Sequence, residues 1–135
     1  FTTEVLLPAS APGGGGGAAV AAGVRVSCVV LWFDVEFSAR FCKERPVVLT
    51  TSPAAEQTHW MQAVLPLRAP LELLAGGGLA CRVSMARSHA RHRALDVALE
   101  YGVVGDAAAA AAGGGAAISG ALNEAVSFCM TVGGE

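Results

Sequence analysis

Long apolar runs are missing from this sequence. No uninterrupted stretch approaches the length a helix needs to cross a bilayer, and the first residues do not join a basic region to an apolar one. The reading is a soluble, intracellular chain with no membrane partner. A surplus of positive charge is missing too: nine Lys and Arg stand against eleven Asp and Glu, a formal net charge of −2, so no global field recruits nucleic acid. The four cysteines, Cys28, Cys42, Cys81 and Cys129, form no C-x-x-C pair, which leaves a disulfide framework or a zinc site without support. Three of them, Cys28, Cys81 and Cys129, lie in apolar strand-like runs and are expected as buried free thiols.

Glycine is abundant, yet no Gly-Lys-Ser/Thr follows any glycine run, so a phosphate loop is excluded. No nucleophile elbow frames a serine, so a hydrolase triad has no support. His89 and His92 have H-x-x-H spacing within the basic residues 87–93, but no Cys or acidic residue stands close enough in sequence to complete a metal set. A solvated hairpin tip is expected there, with an acidic stretch of a protein substrate as the partner its charge would suit.

A chain of 135 residues suits one domain, taken as residues 1–135. It begins at Phe1 without an initiator methionine, as a segment of a longer chain would. The hydrophobic fraction of 53% overstates the core, because much of it is alanine, which adds little buried area. Residues 11–19, with five consecutive glycines, and the Ala/Gly-rich residues 105–120 read as flexible low-complexity loop insertions. Alanine propensity alone favours a short helix at 107–112, but Gly113 to Gly115 would end it and a helix that short is marginal.

Between the insertions the apolar period is two. Leu79, Cys81, Val83 and Met85 alternate with Ala80, Arg82 and Ser84, as a strand with one wet face requires. Leu95, Val97, Leu99 and Tyr101 repeat the pattern, and the polar residues 88–93 between them fit a hairpin loop. Val126, Phe128, Met130 and Val132 make a third such strand, and residues 2–7 an edge strand. Residues 24–37 carry apolar side chains on both parities at 29–33, which predicts that the middle of the run is buried on both faces, as in a long strand that leaves one sheet for another or curves around a closing barrel. Pro46 opens a strand at 47–51, and another follows at 60–67. The fold class is all-β, a barrel or sandwich of roughly seven to ten short antiparallel strands without a Rossmann-like cofactor domain.

One segment is more specific than any periodicity. Val47-Val48-Leu49-Thr50-Thr51-Ser52-Pro53 is followed, after a short gap, by Thr58-His59-Trp60-Met61-Gln62. With VVLWFDVEFS at 29–38, RALDVALEY at 93–101 and Phe128-Cys129-Met130, it resembles the carboxy-terminal β-barrel domain of the protein arginine N-methyltransferases, type I-like. Met61 departs from the lysine usual there, residues 54–57 lack a second proline often seen before the loop, and no dimerisation arm is visible in residues 1–23. Neither the glycine-rich cofactor motif nor the paired-glutamate loop of that family occurs.

The resemblance implies a nuclear or cytoplasmic transferase that moves methyl groups from S-adenosylmethionine to arginine guanidinium nitrogens of proteins such as histones or RNA-binding proteins. The cofactor would bind the other domain and not this segment, which alone would be inactive; the complete enzyme would be a homodimer. His59 would pair with a carboxylate of that other domain, orienting it and assisting proton loss. Trp60 would wall the arginine pocket, since an indole face attracts a flat cation and restricts its approach. Thr58 would hold the loop. Without the resemblance, His59 and Trp60 would read as a surface histidine and a packed tryptophan, and two further readings stand: a non-catalytic β-barrel binding module of the same descent, and an unrelated β-sandwich adaptor.

Overall fold

The computed structural model describes residues 1–9, 23–37, 40 and 44–131. The insertion expected at 11–19, Cys42 and Val132 lie outside the described residues. Among the described residues eight strands and two short helices follow one another, and the chain divides into two compact units, Phe1–Ser27 with Leu67–Glu135, and Cys28–Pro66.

The first unit is built on a four-stranded antiparallel sheet. Strands β1 (Thr2–Pro8), β6 (Gly78–Arg87), β7 (Ala94–Val104) and β8 (Glu124–Thr131) lie in that spatial order. The register places Cys81 opposite Tyr101, Val83 opposite Leu99 and Met85 opposite Val97. These are the alternating apolar positions, so one face collects Leu79, Cys81, Val83, Val97, Leu99 and Tyr101, all buried. Burying each large member contributes about 1.5–3 kcal/mol. Tyr101 also needs a partner for its hydroxyl, which accepts the Arg68 backbone N–H at 2.9 Å. The β6–β7 hairpin closes over residues 88–93, as the polar run predicts.

Across the other face, Arg82 spans the strands. Its guanidinium donates to Glu4 on β1 at 2.7 Å and 2.9 Å, to Glu100 on β7 at 2.9 Å, and to the Ser119 hydroxyl at 2.7 Å. This face is not uniformly wet. Ala80, expected to be solvated, is fully buried, because helices α1 (Ala107–Gly113) and α2 (Gly115–Ala121) lie against β1, β6 and β7.

Those helices correct the reading of 105–120 as a low-complexity loop. Each has seven residues, too few to persist on propensity. Tertiary contact supplies the difference: Ala107 and Ala110 are buried, the Ala107 N–H donates to Gly76 O at 2.8 Å, and Ser119 joins the Arg82 cluster. Glycine still divides them, with Gly114 at φ 64° between the two. A Cβ on Gly102 of β7 would collide with the Ala121 carbonyl oxygen, so glycine is what lets the end of α2 settle on the sheet.

Strand β2 (Val24–Leu31) pairs with β5 (Ala63–Leu73) in a two-stranded ribbon, along which the chain passes from one unit to the other. Strand β5 begins three residues later than the expected 60–67 strand and runs further. In the second unit β3 (Asp34–Phe37) and β4 (Val47–Thr50) form an antiparallel pair with Phe37 opposite Val47. The long strand expected at 24–37 is therefore broken at Trp32 and Phe33, and β2 and β3 join different sheets. The burial on both faces expected of its middle is not met: Val29 is buried and Val30 and Leu31 are half-buried, whereas Trp32 and Phe33 are exposed. Two-stranded ribbons have too few neighbours to cover both faces of a strand.

Candidate functional site

The loop from Thr51 to Gln62 of the second unit is built from its ends. Thr51 is buried, and its hydroxyl donates to Phe33 O at 2.8 Å while accepting the Phe33 N–H at 3.1 Å. The Thr51 N–H adds a third bond to Phe33 O at 3.2 Å. At the far end, Gln62 Nε2 donates to Thr51 O at 2.7 Å, which closes the loop upon its own start. Between them Ser52 makes a turn, its carbonyl accepting the Ala55 N–H at 3.0 Å and its hydroxyl the Ala54 N–H at 3.3 Å. Buried backbone groups that side chains satisfy hold an irregular segment in one shape.

That frame presents Thr58, His59 and Trp60 together. The Thr58 hydroxyl donates to Trp60 O at 3.2 Å. The His59 and Trp60 rings lie 4.0 Å apart between centroids at 35°, and the Phe33 ring meets Trp60 nearly edge-on, 6.0 Å away at 70°. Trp60 is 41% exposed, so the indole is fixed by two neighbours and still offers surface to solvent. No hydrogen bond or ion pair engages the His59 imidazole among the described residues. Met61, 88% exposed, adds an apolar side chain beside it. Among the described residues no group of three or more His, Cys, Asp or Glu could hold a metal ion.

Phe33, Thr51 and Gln62 are the residues that sequence reasoning did not single out as parts of the site. Thr51 and Gln62 stood within the quoted motif and Phe33 within the FDVEF run, but nothing in their spacing says that they hydrogen-bond or pack against one another.

Residues 16–106 match the family model described as the arginine methyltransferase oligomerization subdomain. The chain belongs to this family. It is 42% identical over 91 residues to a probable protein arginine N-methyltransferase 3 of Arabidopsis thaliana, covering 53% of this chain and 15% of the relative. It is 33% identical over 76 residues to protein arginine N-methyltransferase 1 of Schizosaccharomyces pombe, covering 56% and 22%. Among solved structures, the Trypanosoma brucei PRMT1 enzyme-prozyme heterotetrameric complex with AdoHcy aligns with a TM-score of 0.68 at 25% identity, over 96% of this chain and 33% of that one. The chain thus spans 15% and 22% of the length of the two curated relatives. For an arginine methyltransferase subdomain, the Thr-His-Trp loop falls inside the matched region, on the anchored segment just described.

The cysteines divide by environment and not as sequence predicts. Cys81 is buried on β6, and burial pushes its thiol up to about 11. Cys28 is half-buried and Cys129 exposed, although both stand in apolar runs. Cys129 sits on β8 opposite Asp96, at an exposed position of the strand.

Proposed function

We propose that this chain forms the substrate-side barrel of an S-adenosylmethionine-dependent protein arginine N-methyltransferase, with Trp60 as a wall of the arginine pocket. The observation that carries this reading is the half-exposed Trp60 indole, held between His59 and Phe33 on a loop fixed at both ends. A fixed aromatic face attracts a guanidinium within a few ångströms, by about 0.5–2 kcal/mol depending on desolvation. It also limits the orientations from which a guanidinium nitrogen can attack a methyl group in line. His59, whose imidazole has no partner among the described residues, would hydrogen-bond a carboxylate supplied from outside this chain, and the Thr58 hydroxyl would hold the Trp60 backbone beside it. The methyl donor would be held by residues outside this chain, whose own residues contribute orientation. Protein substrates would be arginine-containing segments in the nucleus or cytoplasm.

A second reading, a non-catalytic docking barrel, draws on the family's description as an oligomerization subdomain and on the pairing of an enzyme with a prozyme in the trypanosome complex. The exposed Trp32, Phe37, Val47, Val48 and Met61 of the second unit would supply apolar area for such assembly, including a homodimer.

Methyl transfer from labelled S-adenosylmethionine to an arginine- and glycine-rich peptide separates the two. The full-length protein should be active, and Trp60→Ala should lower kcat/KM at least about tenfold, with Trp60→Phe in between. An inactive full-length protein that still binds the peptide or a methyltransferase partner would leave the docking barrel as the function.

A further inference from the structure

We propose that the tip of the β6–β7 hairpin is a docking point for a short acidic polypeptide segment. Arg87, Arg91 and Arg93, three of the chain's nine basic residues, fall within seven positions there, interleaved with His89 and His92, and all five side chains are exposed. Elsewhere the described arginines of the first unit are engaged: Arg25 lies 3.8 Å from Glu72, Arg68 lies 3.7 Å from Glu124, and Arg82 is shared by Glu4 and Glu100. None of the three tip arginines has a carboxylate partner among the described residues. The acidic side chain nearest along the hairpin, Asp96, stands opposite Ala86, on the face away from Arg87, which pairs with Leu95.

Two locally unfavourable features shape the tip. Arg93 takes a left-handed backbone, φ 64°, unusual for a residue with a Cβ. Ser88 is buried with its hydroxyl unpartnered, while its N–H donates to Ala94 O at 3.0 Å to close the turn. A strained turn built around an orphaned hydroxyl holds three guanidiniums outside the core in a chain whose net charge is negative. Guanidinium forks match carboxylates in bidentate geometry. Residues 86–94 include no Phe, Tyr or Trp, so only the small imidazoles of His89 and His92 could stack on a nucleobase, and a tip this short cannot follow a phosphate backbone; a peptide of clustered Glu or Asp fits better than RNA.

The test is fluorescence anisotropy on the full-length protein without methyl donor, using a labelled octaglutamate peptide, an octaglutamine control and a labelled single-stranded uridine oligonucleotide. The expected result is saturable, salt-sensitive binding of octaglutamate alone, weakened at least about tenfold in Arg87→Gln/Arg91→Gln/Arg93→Gly. Glycine is chosen at 93 because it adopts the left-handed backbone freely, so the turn should persist. Arg91→Gln alone, at the exposed tip and outside the strand ladder, should lower the affinity in the same direction with an unchanged unfolding midpoint. Octaglutamate binding that is absent, or equal in both variants and the parent, overturns the proposal; tighter binding of the oligonucleotide reassigns the tip to nucleic acid. The readout needs neither Trp60 nor methyl transfer, so it fails or succeeds apart from the enzymatic reading.

Discussion

Thr51 clamps the backbone of Phe33 from two atoms, its hydroxyl bonding both the N–H and the C=O of Phe33 and its own N–H bonding the same carbonyl. The clamp fixes where β2 ends and β3 begins, and it sets the Phe33 ring edge-on against Trp60. Replacement by valine keeps the shape and one bond and loses the other two. Thr51→Val should therefore destabilise the chain by about 1–3 kcal/mol, because a part-buried N–H loses its acceptor. Urea denaturation followed by tryptophan fluorescence measures it, and a midpoint equal to the parent's would show that the clamp is dispensable.

Gly102 should not accept a side chain. The Ala121 carbonyl occupies the space where a Cβ would stand, and that atom is backbone at the end of α2. Gly102→Ala should cost about 1–3 kcal/mol by overpacking. Hydrogen exchange should quicken in residues 115–121 while the β6–β7 ladder stays protected; uniform protection in both segments would contradict the close contact.

Acid should loosen the first unit through Glu4. Hydrogen bonds from Arg82, then from Ser119, hold its carboxyl below the usual range against the opposing effect of burial. A folded value lowered in this way stabilises the fold above the unfolded carboxylate range, and the contribution fades as pH falls through the folded value. Glu4→Gln should lower stability near neutral pH and flatten the acid limb, so that the two proteins converge at low pH. Parallel stability curves over the whole range would count against the coupling.

Thiol reactivity should separate two cysteines. Cys81, buried with its thiol raised to about 11, should resist a disulfide reagent at mildly alkaline pH until the protein unfolds. Cys129, exposed on β8, should react in the native state, and Cys129→Ser should remove a fast phase from the reaction. Native-state labelling of Cys81 would mean that the β1–β6–β7–β8 sheet opens far more readily than its burial implies.

Pattern alone determined the antiparallel sheet, because a one-sided strand must repeat every second residue, and Leu79 to Met85 and Leu95 to Tyr101 do so without interruption. It also determined the hairpin between them and, through the Thr58-His59-Trp60 motif, the family. Tertiary structure decided the rest. Alanine at 107–112 is equally compatible with a loop or a helix until Ala107 and Ala110 find a sheet face with a glycine at 102, and the Val/Trp/Phe run at 29–37 looks like a doubly buried strand until its break at Trp32 and Phe33 is known. Local periodicity records which side of a strand is apolar; it carries no information about what arrives to cover that side, which depends on residues distant in the chain. The clamp of Thr51 on Phe33 and the bond from Gln62 back to Thr51 are of the same kind, contacts across 18 and 11 residues that no motif spacing announces.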